Sequence, residues 1–233
     1  MIIETHPKDT FIKLLWLIFS LLFLNILGIV SRFYFNHDSV YGLIPLFDFD
    51  TEKNVPTFYS SIALLFSSTL LLIIASIHKN NGTSYISWLG LALIFIFLSV
   101  DEFTSIHEDL GKSTRDALNI KATGIFYFSW YIPYGIATLA FVMTYLKFLI
   151  TLPKSIMILF IISGSTFVTG AIGFEMLCAE HIEQSGTNNL MYSFLYSCEE
   201  FLEMLGIVIF IYTLLSYIVS QFGSLSVTIN KSK

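Results

Sequence analysis

The stretch from Leu98 to Leu110, LSVDEFTSIHEDL, decides how the chain is read. It follows an uncharged run that begins at Ile86, and then sets Asp101, Glu102, His107, Glu108 and Asp109 close together. An α-helix rises 1.5 Å per residue, so a helix begun at Ile86 carries Asp101 about 22 Å along its axis. The hydrocarbon core of a bilayer is about 30 Å thick, which leaves that carboxylate short of the far edge. A central Asp costs about 2.5–3.5 kcal/mol to insert. Ionisable groups inside a membrane normally face a bundle interior or a water-filled cavity. The stretch therefore reads as the wall of an acidic chamber rather than as the plain end of a span.

The rest of the chain supports a lipid solvent. Of 233 residues, 55% are hydrophobic and only 12% charged, with a mean hydropathy of +0.75. A soluble domain is about a quarter charged. Apolar runs long enough to cross a bilayer fall at about 11–33, 57–77, 86–110, 124–149, 155–182 and 190–220. The expectation is an all-α protein: a single membrane domain over residues 1–233, built as a polytopic bundle of six transmembrane helices, with no soluble domain. The first span is too long for a signal-peptide core, and no small-residue cleavage site follows it, so it reads as retained. Cys178 and Cys198 are too few for a disulfide scaffold, and their pairing stays open. Nothing is basic enough for nucleic acid. The expected partner is the lipid bilayer, and homo-oligomerisation is left open.

Six spans put both termini on one side. Lys8, Lys13, Lys79, Lys147, Lys154, Lys231 and Lys233 lie there, against Arg32, Lys53, Lys112, Arg115 and Lys121 opposite. The positive-inside rule then favours cytoplasmic termini in a bacterial inner membrane, with the other side exoplasmic. Trp16, Trp88 and Trp130 near span ends suit interfacial anchoring. Of the acids, only Glu4 and Asp9 belong to the terminal side. The others concentrate in the opposite leaflet.

Helical spacing decides which of them can converge. At 100° per residue, Asp101, Ser105 and Glu108 share a face, Glu102 and Asp109 share a neighbouring one, and His107 points away unless the helix bends or unwinds. The fifth span brings Glu175, Glu180 and His181 to the same leaflet. The sixth carries a stripe of Tyr192, Tyr196, Glu199 and Glu203, with Glu200 beside it. A hairpin of spans five and six would set Cys178 opposite Cys198 and Glu175 opposite Glu200 and Glu203. Tyr127, Tyr131 and Tyr134 would line the fourth span, with Pro133 kinking it and freeing a carbonyl. Ser163, Thr166, Gly170 and Gly173 form a small-residue stripe that suits close helix packing. Glu180, Glu183, Asp109 and Asp116 read instead as headgroup-zone acids, where the penalty is small.

The loop after the first span, LIPLFDFDTEKNVPTFYSS, alternates Asp48, Asp50, Glu52 and Asn54. It lacks the Gly and the terminal Glu of a calcium-binding EF-hand loop. Pro56 suits the first turn of the second span. The loop is expected to cap that helix and to fold over the carboxylates.

Together, FDFDTEKNVPTFYSS and LSVDEFTSIHE resemble a group of uncharacterised bacterial multispan membrane proteins. These share a D-x-E-x-N-x-P-T loop and an L-S-x-D-E-x4-H-E helix end. The resemblance covers the first half of the chain, with the Glu of GAIGFE as a further point. It implies that Asp50, Glu52, Asn54, Pro56, Asp101, Glu102, His107, Glu108 and Glu175 are signature positions. It implies no activity.

Carboxylates with imidazole suit Mn, Fe and Zn. The first expectation is a divalent-metal site in the outer leaflet, formed by Asp101, Glu102, His107, Glu108, Glu175, Glu199 and Glu203. Tyr131, Tyr196, His181 and Glu200 would support it, and Asp50, Glu52 and Asn54 would cover it. Such a site could serve an intramembrane hydrolytic or redox reaction through metal-bound water. The sequence lacks His-Glu-x-x-His, the helical Glu-x-x-His of di-iron bundles and a Ser nucleophile elbow. A proton- or cation-coupled transporter using the same acids as a relay is the alternative. An accessory or assembly protein is the third.

Overall fold

The structure is a computed structural model that describes residues 6–121, 123–124 and 127–223. Glu4, Lys231 and Lys233 of the charge balance lie outside the described residues. The chain runs through α1 (Pro7–Phe35), a short α2 (Leu43–Phe47), α3 (Val55–Asn80), α4 (Ile86–Thr104) and α5 (Ile106–Leu118). It continues through α6 (Tyr131–Thr151), α7 (Lys154–Val168), a π-helical segment (Thr169–Phe174), α8 (Glu175–Ser185) and α9 (Leu190–Phe222). No strand occurs among the described residues. Among the described residues six stretches are long and apolar enough to cross a membrane: α1, α3, α4, α6, the continuous α7–α8 rod and α9. The molecule is a multi-pass, all-α membrane bundle.

The long helix α9 is its axis. Met204, Val208, Ile211, Leu214 and Ile218 are almost fully buried, and α1, α3 and α7 pack around it. Between helices in lipid the hydrophobic effect offers little, so close packing and hydroxyl bonds hold the bundle. Ser61 Oγ donates to Ser99 O at 2.8 Å and Ser68 Oγ to Ala92 O at 2.8 Å, which ties α3 to α4. Ser163 Oγ donates to Gly206 O at 3.0 Å, which ties α7 to α9. A Cβ on Gly170 would stand 2.7 Å from Glu199 O, and one on Gly206 would stand 2.8 Å from Phe167 N. Glycine is what lets these backbones approach.

Two asparagines cap α3 and α9, which start at one end of the bundle. Asn54 Oδ1 accepts the N–H of Thr57 at 3.1 Å, with Pro56 in the first turn of α3. Asn189 Oδ1 accepts the N–H of Tyr192 at 2.9 Å. Each satisfies a donor that the first turn leaves without a helical partner.

Several expected boundaries shift. The third span was expected to run on to residue 110, but α4 stops at Thr104 and Ser105 turns left-handed at φ 58° before α5 begins. The fourth was expected from residue 124, but α6 begins at Tyr131. Tyr127 therefore lies off the helix, apart from Tyr131 and Tyr134. Pro133 falls in the first turn of α6, where no N–H needs a helical acceptor, so the freed carbonyl expected there does not arise. The fifth span holds a π segment that periodicity did not reveal. In the small-residue stripe Ser163 and Gly170 meet α9, whereas Thr166 Oγ1 bonds Ile162 O in its own helix and a Cβ on Gly173 would meet the Thr169 side chain rather than α9.

On the outside, α6 is loosely seated: Tyr131 is its only buried residue. Its Ile136, Leu139, Met143 and Ile150 are exposed, as are Trp16, Phe23 and Leu27 of α1. These are faces for lipid.

Candidate functional site

One end of the bundle gathers the starts of α3, α6 and α9, the end of α4, all of α5 and the first turn of α8. They enclose a cavity of about 490 Å³. Of the residues expected in the site, Asp101, Glu102, His107, Glu108, Glu175, Glu199, Glu200, Glu203 and Tyr196 line it, with Asp50 and Glu52 from the loop. The loop does fold over the carboxylates.

The break at Ser105 builds one wall. It starts a new helix whose second N–H, that of His107, donates to Asp101 Oδ1 at 2.9 Å. A carboxylate at a helix N-terminus is favoured by the exposed N–H groups and the helix dipole. The same turn swings the His107 ring back, so that Nδ1 lies 3.4 Å from Asp101 Oδ1 and Nε2 lies 3.6 Å from Glu52 Oε1. A continuous helix would have pointed this ring away; unwinding is what brings it in. Tyr134 Oη donates to Asp101 Oδ2 at 2.8 Å. Burial alone would lower the His107 pKa, but the bond to Asp101 and the charges of Asp101, Glu52 and Glu102 leave it raised.

The loop supplies a second wall. Arg32 pairs with the buried Asp48, and Asp48 O accepts from Asn54 Nδ2 at 2.6 Å. Asn25 anchors the loop from inside, accepting the N–H of Phe49 at 3.1 Å and donating to Ser197 Oγ at 2.8 Å. Asp50 then receives the Tyr192 hydroxyl at 2.6 Å. Burial pushes the Asp50 carboxyl up to about 6 against the pull of that bond. Burial also raises Glu52, opposed by His107.

The third wall is α8 and α9. Trp130 Nε1 donates to Glu175 Oε1 at 3.0 Å, and Cys178 Sγ donates to Glu199 Oε2 at 3.4 Å. Cys178 and Cys198 are free thiols; Cys178 meets Glu199 rather than its counterpart cysteine. Glu102, Glu175, Glu199, Glu200 and Glu203 make no ion pair among the described residues.

Three expected site residues stand apart from the chamber. Asn54 ends the loop as the cap of α3, its amide spent on that cap and on Asp48 O and Thr51 O. His181 Nε2 pairs with Asn189 Oδ1 at 2.8 Å. Tyr131 is buried beside the chamber with no hydrogen-bond partner for its hydroxyl among the described residues. Among those residues no three His, Cys, Asp or Glu side chains converge as a ready ligand group for a metal ion. The acids share a cavity without closing on a point.

Sequence reasoning passed over Lys112 and Arg115 as site residues, yet both line the cavity. Arg115 Nη1 donates to Tyr127 O at 2.9 Å and Phe128 O at 2.7 Å, and so fixes the approach to α6. Lys112 pairs with Asp109 at 3.2 Å. A basic pair on the acid-rich side of the balance was the available signal.

Fold and site together define a multi-pass α-helical membrane protein with an acidic chamber at one end of its bundle. The chain belongs to the family described as domain of unknown function DUF8692, which matches residues 14–218. No curated protein and no solved structure matches it.

Proposed function

We propose that the chamber binds a cation at the membrane and exchanges it for protons, as in a proton- or cation-coupled carrier. The observation that carries this reading is the set of five glutamates, Glu102, Glu175, Glu199, Glu200 and Glu203, that face one cavity without a basic partner among the described residues. Like charges gathered in a medium of low dielectric need compensating positive charge. His107, held between Asp101 and Glu52, meets part of that need, and protons or a bound cation are left to supply the rest. Tyr196 adds an independent pointer. It is 4% exposed, lines the cavity, and its hydroxyl has no partner among the described residues.

A resident Mn, Fe or Zn ion is the second reading, favoured by His107 standing among carboxylates. Since no ready ligand group exists among the described residues, it requires the glutamate side chains to draw together on binding. Under either reading the chamber is assigned to the exoplasmic side, from the balance of lysines and arginines.

The test is calorimetric titration of the protein in lipid nanodiscs with butylammonium, Mn²⁺ and Zn²⁺, alongside a Glu102→Gln, Glu199→Gln, Glu200→Gln, Glu203→Gln variant. Saturable binding that the variant loses supports the reading. Stoichiometric Mn²⁺ or Zn²⁺ without butylammonium binding favours the second. No cation binding, or equal binding by the variant, overturns both.

A further inference from the structure

A second cavity, of about 480 Å³, adjoins the acidic chamber. Leu64, Leu98, Trp130, Tyr134, Phe167 and Ala171 wall both spaces. Its other lining, including Leu91, Phe95, Phe141, Phe160 and Phe210, is almost wholly apolar. Phe95 and Leu91 precede Asp101 on α4 by about 9 and 15 Å of helix rise, so this space runs from the chamber towards the middle of the membrane. One wall is α6, the helix with a single buried residue, which leaves the cavity flanked by lipid-facing surface. The hydroxyl of Ser163, which lines it, is already given to Gly206 O.

We infer that the two cavities form one amphiphile site, which takes a long-chain amine with its ammonium head in the acidic chamber and its alkyl chain in the apolar space. This rests on the cation reading above and names the class of cation. Charge complementarity selects the head. The chamber presents five glutamates without an ion-pair partner among the described residues, while its Lys112 and Arg115 are engaged with Asp109 and with the carbonyls of Tyr127 and Phe128. A carboxylate or phosphate head would meet repulsion there. Trp130, Tyr127 and Phe128 line the chamber, and aromatic rings attract an ammonium. Tyr196, whose buried hydroxyl has no partner among the described residues, also lines the head space. The chain is selected by the second cavity, whose lining offers a hydrocarbon chain contact and an ion nothing.

The experiment uses the full-length protein in nanodiscs with three probes: hexadecylamine brominated along its chain, the matching brominated hexadecanoic acid, and butylamine. Quenching of Trp130, taken as the difference from a Trp130→Phe protein, reports occupancy at the junction of the two cavities. The expected result is saturable quenching by the amine, at least tenfold weaker for the acid. Gly164 lines the apolar cavity, and a Cβ there meets nothing within 4 Å. Gly164→Phe should therefore weaken the long amine at least tenfold while leaving calorimetric butylamine binding unchanged. Gly164→Leu makes the same test with less bulk, and the amine-to-acid comparison in the unaltered protein needs no variant. Equal quenching by acid and amine, or a long amine indifferent to both Gly164 variants, overturns the inference while leaving the cation reading standing. Loss of butylamine and Mn²⁺ binding altogether would take that reading down, and the inference with it.

Discussion

Across the break at Ser105, Asp101 Oδ1 accepts the backbone N–H of His107 at 2.9 Å and lies 3.4 Å from the ring of the same residue. One carboxylate thus starts α5, holds the imidazole over the chamber and, through its other oxygen, receives Tyr134 from α6. Asp101→Ala removes a helix cap and two side-chain partners at a buried position, and should cost about 2–3 kcal/mol. Tyr134→Phe removes one of those bonds and should cost about 1–2 kcal/mol. Thermal unfolding in detergent checks the order, with Glu108→Ala near neutral as the reference.

Ser105 carries φ 58°, a left-handed conformation that favours glycine. Ser105→Gly should raise stability by about 0.5–1 kcal/mol, and Ser105→Val should lower it by at least as much. Parallel melts of the three proteins decide. A stabilising valine would mean that the helix runs through this position unbroken.

The pH response follows from groups in the loop and in α5. His107 is raised above 6.5, so it stabilises the fold as imidazolium; that contribution is complete below 6.5 and is lost as pH rises through the higher folded value. Asp50 is raised from 3.8 to about 6, so its neutral form is favoured in the fold, and its contribution is lost as pH climbs through about 6. Both act in one direction. The melting temperature should fall from pH 5 to pH 8, with Asp50→Asn flattening the lower part of the slope and His107→Gln the upper. A midpoint that climbs across this range would contradict the assignment.

Close approach of α7 and the π segment to α9 predicts a sharp contrast among glycines. Gly170→Ala and Gly206→Ala force a methyl to within 3 Å of backbone on a facing element. Each should cost about 1–3 kcal/mol through overpacking. Gly164→Ala, with open space around it, should be neutral within about 0.5 kcal/mol. Yield and thermal midpoint of the three variants measure the difference.

The six apolar spans were legible because membrane crossing is dictated by length and hydropathy, and those are properties of the sequence alone. The α9 stripe of Tyr192, Tyr196, Glu199 and Glu203 was legible for a related reason: a regular helix keeps its faces. The break at Ser105 was not, since FTSIHED contains neither Gly nor Pro, and its left-handed turn is held by Asp101 reaching across it. The start of α6 at Tyr131 was hidden because Phe126 to Trp130 are as apolar as the helix that follows. The contacts of Tyr192 with Asp50 and of His107 with Glu52 join segments far apart in the chain, and no local pattern encodes them. The cap on α3 was legible, because an asparagine before a Pro-containing first turn is a capping signal, and Asn54 spends its amide there rather than on the chamber.

Proton counting tests the central claim most directly. Protein in weakly buffered nanodiscs at pH 7 is mixed with butylammonium, and a pH-sensitive dye records the change. If the chamber exchanges protons for a cation, binding releases protons in step with occupancy, and the four-glutamine variant releases none. Saturable binding with no proton release, or release that the variant retains in full, would contradict the account.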